Sequence, residues 1–274
     1  MDRLLVLRLE SSGIGAEAFM NGVPLLRVGP ARRVALVAVH EYALVGANQL
    51  ALTVRPPAPM GPALALPAEL SDGATWVRLQ LLLPRTGSLA HPDMARTLGQ
   101  LEWAPAEGEV VTFPAQLDGM VELPIAFPRW RWLDAPVISP VMDTALEALK
   151  APLAAWLQEI ALGLARGDAA PLLQACRLKL EELATAYQQP LDGLLQGWGH
   201  QIQSLHQAEP LKPTIHTSAT LGLRPVAQGR LLECLGPDGG PALCAPRRPQ
   251  GAGQAWVAWP MRVSMIQGRF YGLR

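Results

Sequence analysis

The stretch Ser139-Pro140-Val141-Met142-Asp143-Thr144-Ala145-Leu146-Glu147-Ala148-Leu149 decides how this chain is read, because the side-chain rhythm changes within it. Ser139 can accept from the amides of a first helical turn, Pro140 has the φ that turn needs, and Asp143 suits its positive end. Met142, Leu146, Leu149, Leu153, Leu157, Ile160 and Leu164 then recur every three or four residues, one apolar stripe along a helix. Pro152 is expected to kink or divide it. Gly167 ends it, and Asp168 can cap a second helix with the stripe Leu172, Cys176, Leu180, Leu183 and Tyr187. Pro190 opens a third through Leu191, Leu194, Leu195, Trp198, Ile202 and Leu205. Gly193, Gly197 and Gly199 weaken that helix by up to about 1 kcal/mol each relative to Ala.

On either side the period is two. Upstream, the N-terminal residues alternate as a strand, and Asn21-Gly22 signals a two-residue hairpin because both positions tolerate positive φ. Strands are expected over 33–39, 50–54, 75–83, 99–103, 110–113 and 120–127, with a Pro-rich loop (Pro56, Pro57, Pro59, Pro62, Pro67) and a long loop or short helix over 85–97. Downstream, residues 214–224 read as a strand. Hairpins follow around Pro237-Asp238-Gly239-Gly240 and Gln267-Gly268, the second of them closing a strand over 255–266. The predicted class is α+β: an antiparallel β-sandwich over 1–138, then a domain over 139–274 with about three helices on one face of a curved antiparallel sheet.

Composition narrows the function classes. Half of the 274 residues are apolar and 17% are charged, against about a quarter in ordinary domains. Acidic and basic residues balance at 23 each, with no basic run, so no nucleic-acid partner is expected. No window approaches the roughly 18 apolar residues of a membrane span, and no leader-like segment opens the chain. Three cysteines do not make a disulfide framework, and a cytoplasmic location is expected.

The helix-helix-helix-then-meander order, the junction Ala165-Arg166-Gly167-Asp168 and the closing Ile266-Gln267-Gly268-Arg269-Phe270-Tyr271 resemble the cone-shaped nuclear transport factor two-like superfamily, which includes polyketide cyclase-like members. The N-terminal half, in Phe19-Met20-Asn21-Gly22-Val23-Pro24 and His40 to Leu50 with its Gly46-Ala47-Asn48-Gln49-Leu50, is similar to the jelly-roll modules that accompany many glycosidases. Both resemblances imply fold. Neither implies catalytic residues.

Two candidate sites emerge. Trp130 and Trp132 alternate with Arg129 and Arg131, so a strand there presents two indoles on one face for a partner protein or a sugar, unless they plug a domain junction. His216, Ser218, Thr220 and Arg224 share one face of the predicted strand over 214–224. Covered by helices, that face lines a polar pocket; open to water, it is an ordinary surface. His200 and His206 are six apart and do not form a metal pair. Asp238-Gly239-Gly240 is turn chemistry without the Lys-Ser/Thr of a phosphate loop. No metal, cofactor or nucleophile motif stands out, which weighs against an enzyme.

The leading expectation is therefore a non-catalytic accessory protein that binds another protein, of the immunity- or secretion-associated kind found in bacteria. The alternatives are a small-molecule enzyme or ligand carrier with a cavity between helices and sheet, and a carbohydrate-binding module.

Overall fold

The computed structural model describes residues 4–29, 32–56, 75–85, 90–106, 109–138, 143–248 and 256–274. The predicted cap at Ser139-Pro140, Met142 of the first stripe and most of the Pro-rich loop lie outside them. Helices and antiparallel sheets are both present, an α+β chain, in two compact units, Met1–Pro128 and Arg129–Arg274. No helix among the described residues is long and apolar enough to cross a membrane.

Among its described residues the first unit holds eight strands: β1 (Val6–Ser12), β2 (Gly15–Met20), β3 (Val23–Val28), β4 (Val34–Ala38), β5 (Gly46–Arg55), β6 (Trp76–Pro84), β7 (Ala95–Trp103) and β8 (Ala115–Leu123). They form two four-stranded antiparallel sheets, in the orders β4-β1-β6-β7 and β3-β2-β5-β8. Period-two burial carries both: Leu5, Leu7 and Leu9 beside β6, and Asn48, Leu50, Leu52 and Val54 along β5, are inside. Asn21 and Gly22 turn β2 into β3 with φ of 52° and 76°, the geometry that dipeptide favours. Asn48 is fully buried. Its Oδ1 accepts from Asn21 Nδ2 and Leu44 N, and its Nδ2 donates to the carbonyls of Leu44 and Gly46. The Asn-Gly and Gly-x-Asn-x-Leu segments are thus one hydrogen-bonded assembly. Residues 95–97, expected in a loop, begin β7, whereas 110–113 contribute only a single bridge residue.

Gly99 of β7 and Gly119 of β8 bring strands of different sheets together. A Cβ on Gly99 would lie 2.2 Å from Val121 Cγ2, and one on Gly119 2.9 Å from Leu101 Cδ2. Real side chains do not fit at either distance.

The second unit opens with a single 3-10 turn, Arg131–Asp134, followed by α1 (Asp143–Ala165), α2 (Ala170–Ala175), α3 (Arg177–Tyr187) and α4 (Leu191–Ala208). Six strands follow among the described residues: β9 (Gly222–Val226), β10 (Leu231–Leu235), β11 (Cys244–Pro246), β12 (Trp256–Ala258), β13 (Arg262–Ile266) and β14 (Arg269–Gly272). Four of these form the antiparallel sheet β14-β13-β10-β9, and β11 pairs with β12.

Local chemistry explains where this unit departs from the expected elements. Pro152 lies inside one continuous helix, because Leu153, Leu157, Ile160 and Leu164 are anchored in the core and outweigh the lost backbone bond. The second predicted helix breaks at Cys176, where the chain bends around β14: a Cβ on Gly272 would lie 3.2 Å from Cys176 Sγ. At the start of that segment, Asp168 Oδ1 accepts Ala170 N–H at 2.9 Å. The strand over 214–224 forms only from Gly222. Before it, Thr220 Oγ1 accepts Thr217 N–H at 2.9 Å and Leu221 N–H reaches Thr217 O, a local turn that competes with any ladder. The expected strand 255–266 is divided into β12 and β13 by Trp259-Pro260-Met261.

Candidate functional site

The four residues predicted to share a strand face go to three separate places. His216 is buried (8% exposed) beside Gly236, and its backbone carbonyl accepts Gln158 Nε2 at 3.0 Å. Ser218 and Thr220 are exposed on the Thr217 turn. Arg224, alone of the four, lies on a strand, where its Nε donates to Glu233 Oε2 at 2.8 Å. Glu233 is buried and also faces Arg262 Nη2 at 3.5 Å. A turn in place of a strand removes the shared face that the alternation predicts.

Trp130 and Trp132 are each 1% exposed. The backbone here makes a 3-10 turn, not a strand, so the two indoles do not alternate to one outward face. The Arg274 guanidinium lies 5.7 Å from the centre of the Trp130 ring. Glu182, on α3, accepts Arg131 N–H at 2.5 Å through Oε1 and the Arg274 guanidinium through Oε2. Trp132 Nε1 has no hydrogen-bond partner among the described residues.

The cysteines flanking the Asp238-Gly239-Gly240 turn belong to different sheets, Cys234 on β10 and Cys244 on β11, and all three thiols are free. Burial pushes the Cys234 thiol well above its ordinary range, with Glu233 adding to it, and raises Cys176 as well. Neither is an activated nucleophile. No group of three or more His, Cys, Asp or Glu among the described residues is placed to hold a metal.

Clefts lined by described residues open in the second unit. One, of about 220 Å³, lies between α2–α3, α4 and the segment joining β12 to β13, with Cys176, Trp198, Ile202, Trp259 and Met261 on its walls. Lys179 Nζ sits 5.5 Å from the centre of the Trp198 ring at this cleft.

Another, of about 560 Å³, lies between α1, α2 and the β13–β14 hairpin. Trp156 and Phe270 line it, their rings 6.0 Å apart at 53°. Glu159, Gln174, Arg269 and Tyr271 line it as well. Glu159, Gln174 and Arg269 are exposed to solvent and Tyr271 is half-buried, and none of the four side chains has a hydrogen-bonding or ionic partner among the described residues. The hairpin turn Gln267-Gly268, with φ of 50° and 76°, sets the strand end that carries Arg269 and Phe270.

Sequence reasoning passed over this second cleft. Trp156 and Glu159 flank the helical stripe without belonging to it, and Gln174 sits on the outer side of α2. Only the fold brings residues 156–174 to residues 268–271, and no local spacing announces that meeting.

Comparison with protein-family models, with curated proteins and with solved structures finds no match to this chain.

Proposed function

We propose that this chain is a non-catalytic binding protein that holds a small ligand in the cleft between α1, α2 and the β13–β14 hairpin. The single observation that carries the reading is that one cleft of about 560 Å³ brings Glu159, Gln174, Arg269 and Tyr271, none of them engaged by another described residue, together with an indole and a phenyl ring. Ligand sites are concave, partly apolar and provided with a few convergent polar groups, and they fall mostly between about 300 and 1,000 Å³. The cleft answers that description, and it lies between helices and strands, where the ligand-carrier reading of the sequence expects a cavity. The finer architecture we infer is a β-sandwich for the first unit and helices on one face of a curved sheet for the second, at work in the cytoplasm.

The test is a ligand-observed NMR fragment screen against wild type and a Glu159→Ala/Arg269→Ala variant. A set of fragments that lose saturation transfer in the variant supports the reading. An identical hit list for both proteins refutes it.

A second reading is recognition of another protein, as for an accessory or immunity-type factor. Trp256, 54% exposed on β12, favours it, since exposed tryptophans are over-represented in binding hot spots. Trp256→Ala should then abolish partner capture while leaving thermal stability unchanged. Capture that survives the substitution removes Trp256 from the interface.

A further inference from the structure

We infer that the ligand of the cleft between α1, α2 and the β13–β14 hairpin is a neutral saccharide; this rests on the small-ligand reading above and adds the chemical class. The polar groups lining the cleft are a carboxylate (Glu159), a carboxamide (Gln174), a guanidinium (Arg269) and a phenol (Tyr271). The first three are flat and multidentate, so each can meet two neighbouring hydroxyls at once, the carboxylate as acceptor, the guanidinium as donor and the amide as both. Vicinal hydroxyls, which are donors and acceptors together, use that whole set. A simple anion or cation would use half of it.

Charge points the same way. One acid and one base line the cleft, so it has no net sign with which to select an ion. A site built for a phosphate or a carboxylate would show an excess of donors, and one built for a cation an excess of acceptors. The apolar lining fits as well. Trp156 is half-buried beside Phe270, and indole surface suits the C–H face of a sugar ring while the hydroxyl rim meets the polar groups. Glu159, Gln174 and Arg269 are exposed, so in the free protein water meets them, and the hydroxyls of a sugar can replace those waters bond for bond.

The experiment is isothermal titration of the full chain with two probe panels, neutral methyl glycosides and linear neutral oligosaccharides in one, free amino acids and dipeptides in the other. Each is repeated on Glu159→Gln, Arg269→Gln and Trp156→Phe, with circular dichroism to verify folding. The expected result is binding of at least one neutral glycoside by wild type, weakened about tenfold or more in each charge variant, as for loss of a hydrogen bond to a charged group. Trp156→Phe, which keeps an aromatic surface, should weaken it less. Binding confined to the zwitterionic panel overturns the saccharide inference and leaves the small-ligand reading standing. Glycoside binding that all three folded variants retain at full strength places the sugar elsewhere and overturns the inference. Silence from both panels overturns it too, and silence together with an unchanged fragment hit list removes the cleft as a site altogether.

Discussion

Glu182 should be the most costly single polar residue to lose in the second unit. It is 7% exposed, and its two oxygens serve different parts of the chain: Oε1 takes the Arg131 amide and Oε2 the guanidinium of Arg274, whose side chain is fully buried. Glu182→Leu leaves that guanidinium buried without its carboxylate, a loss of about 3–5 kcal/mol for a broken buried pair. The Arg131 amide loses its acceptor, but Arg131 is exposed and water can replace part of it, so this adds about 1 kcal/mol at most. Together they take about 3–6 kcal/mol from a unit whose whole stability should be about 5–15 kcal/mol. Glu182→Gln keeps an acceptor for Arg131 while removing the charge, and should cost less than Glu182→Leu. The double variant Glu182→Leu/Arg274→Met removes the stranded charge together with its cause and should recover most of the loss, to within about 2 kcal/mol of wild type. Urea unfolding followed by far-UV circular dichroism and tryptophan fluorescence reads all four proteins. A Glu182→Leu variant within about 1 kcal/mol of wild type, or a double variant worse than the single, would refute the reasoning.

Three further outcomes are expected. His40 is buried and accepts Leu5 N–H through Nε2 at 2.6 Å, and burial holds its pKa down to about 4 from 6.5. The unfolded chain therefore takes the proton first, so this stability is whole above pH 6.5, falls as pH drops toward 4 and is then gone, a total of about 3 kcal/mol; urea midpoints of wild type should show that slope and His40→Gln should lack it, whereas parallel profiles would contradict it. Gly99→Ala should destabilise the first unit by about 1–3 kcal/mol through contact with Val121, and Val121→Ala should relieve part of that in the double variant; additive thermal shifts would show that the two strands do not meet there. Titration with a thiol reagent should find Cys244, the half-exposed one, reactive in the native protein and Cys176 and Cys234 only after denaturation; three fast thiols would contradict the burial of the other two.

Residues that obey a local rule were readable in advance. Asn21-Gly22 and Gln267-Gly268 turn hairpins because few dipeptides accept two positive φ values, and the stripe Leu153–Leu157–Ile160–Leu164 is helical because its spacing serves one face. Local competition defeated the rest. The Thr217–Thr220 turn satisfies backbone groups that an alternating pattern would have given to a ladder, so His216 and Arg224 never share a strand. The Trp130–Trp132 alternation reads as strand until Glu182, more than fifty residues on, captures the Arg131 amide of a 3-10 turn. The candidate cleft was illegible for the same reason on a larger scale: α1 and β14 contribute its walls from positions more than a hundred residues apart.

Because one carboxylate on α3 grips both Arg131 and Arg274, the second unit is laced shut where its polypeptide enters and where it reaches residue 274. Neighbouring ends favour rewiring: residues 129–274 joined by a short linker between those ends and reopened at the turn where Pro237 and Asp238 are exposed should give a permuted molecule with the same interior.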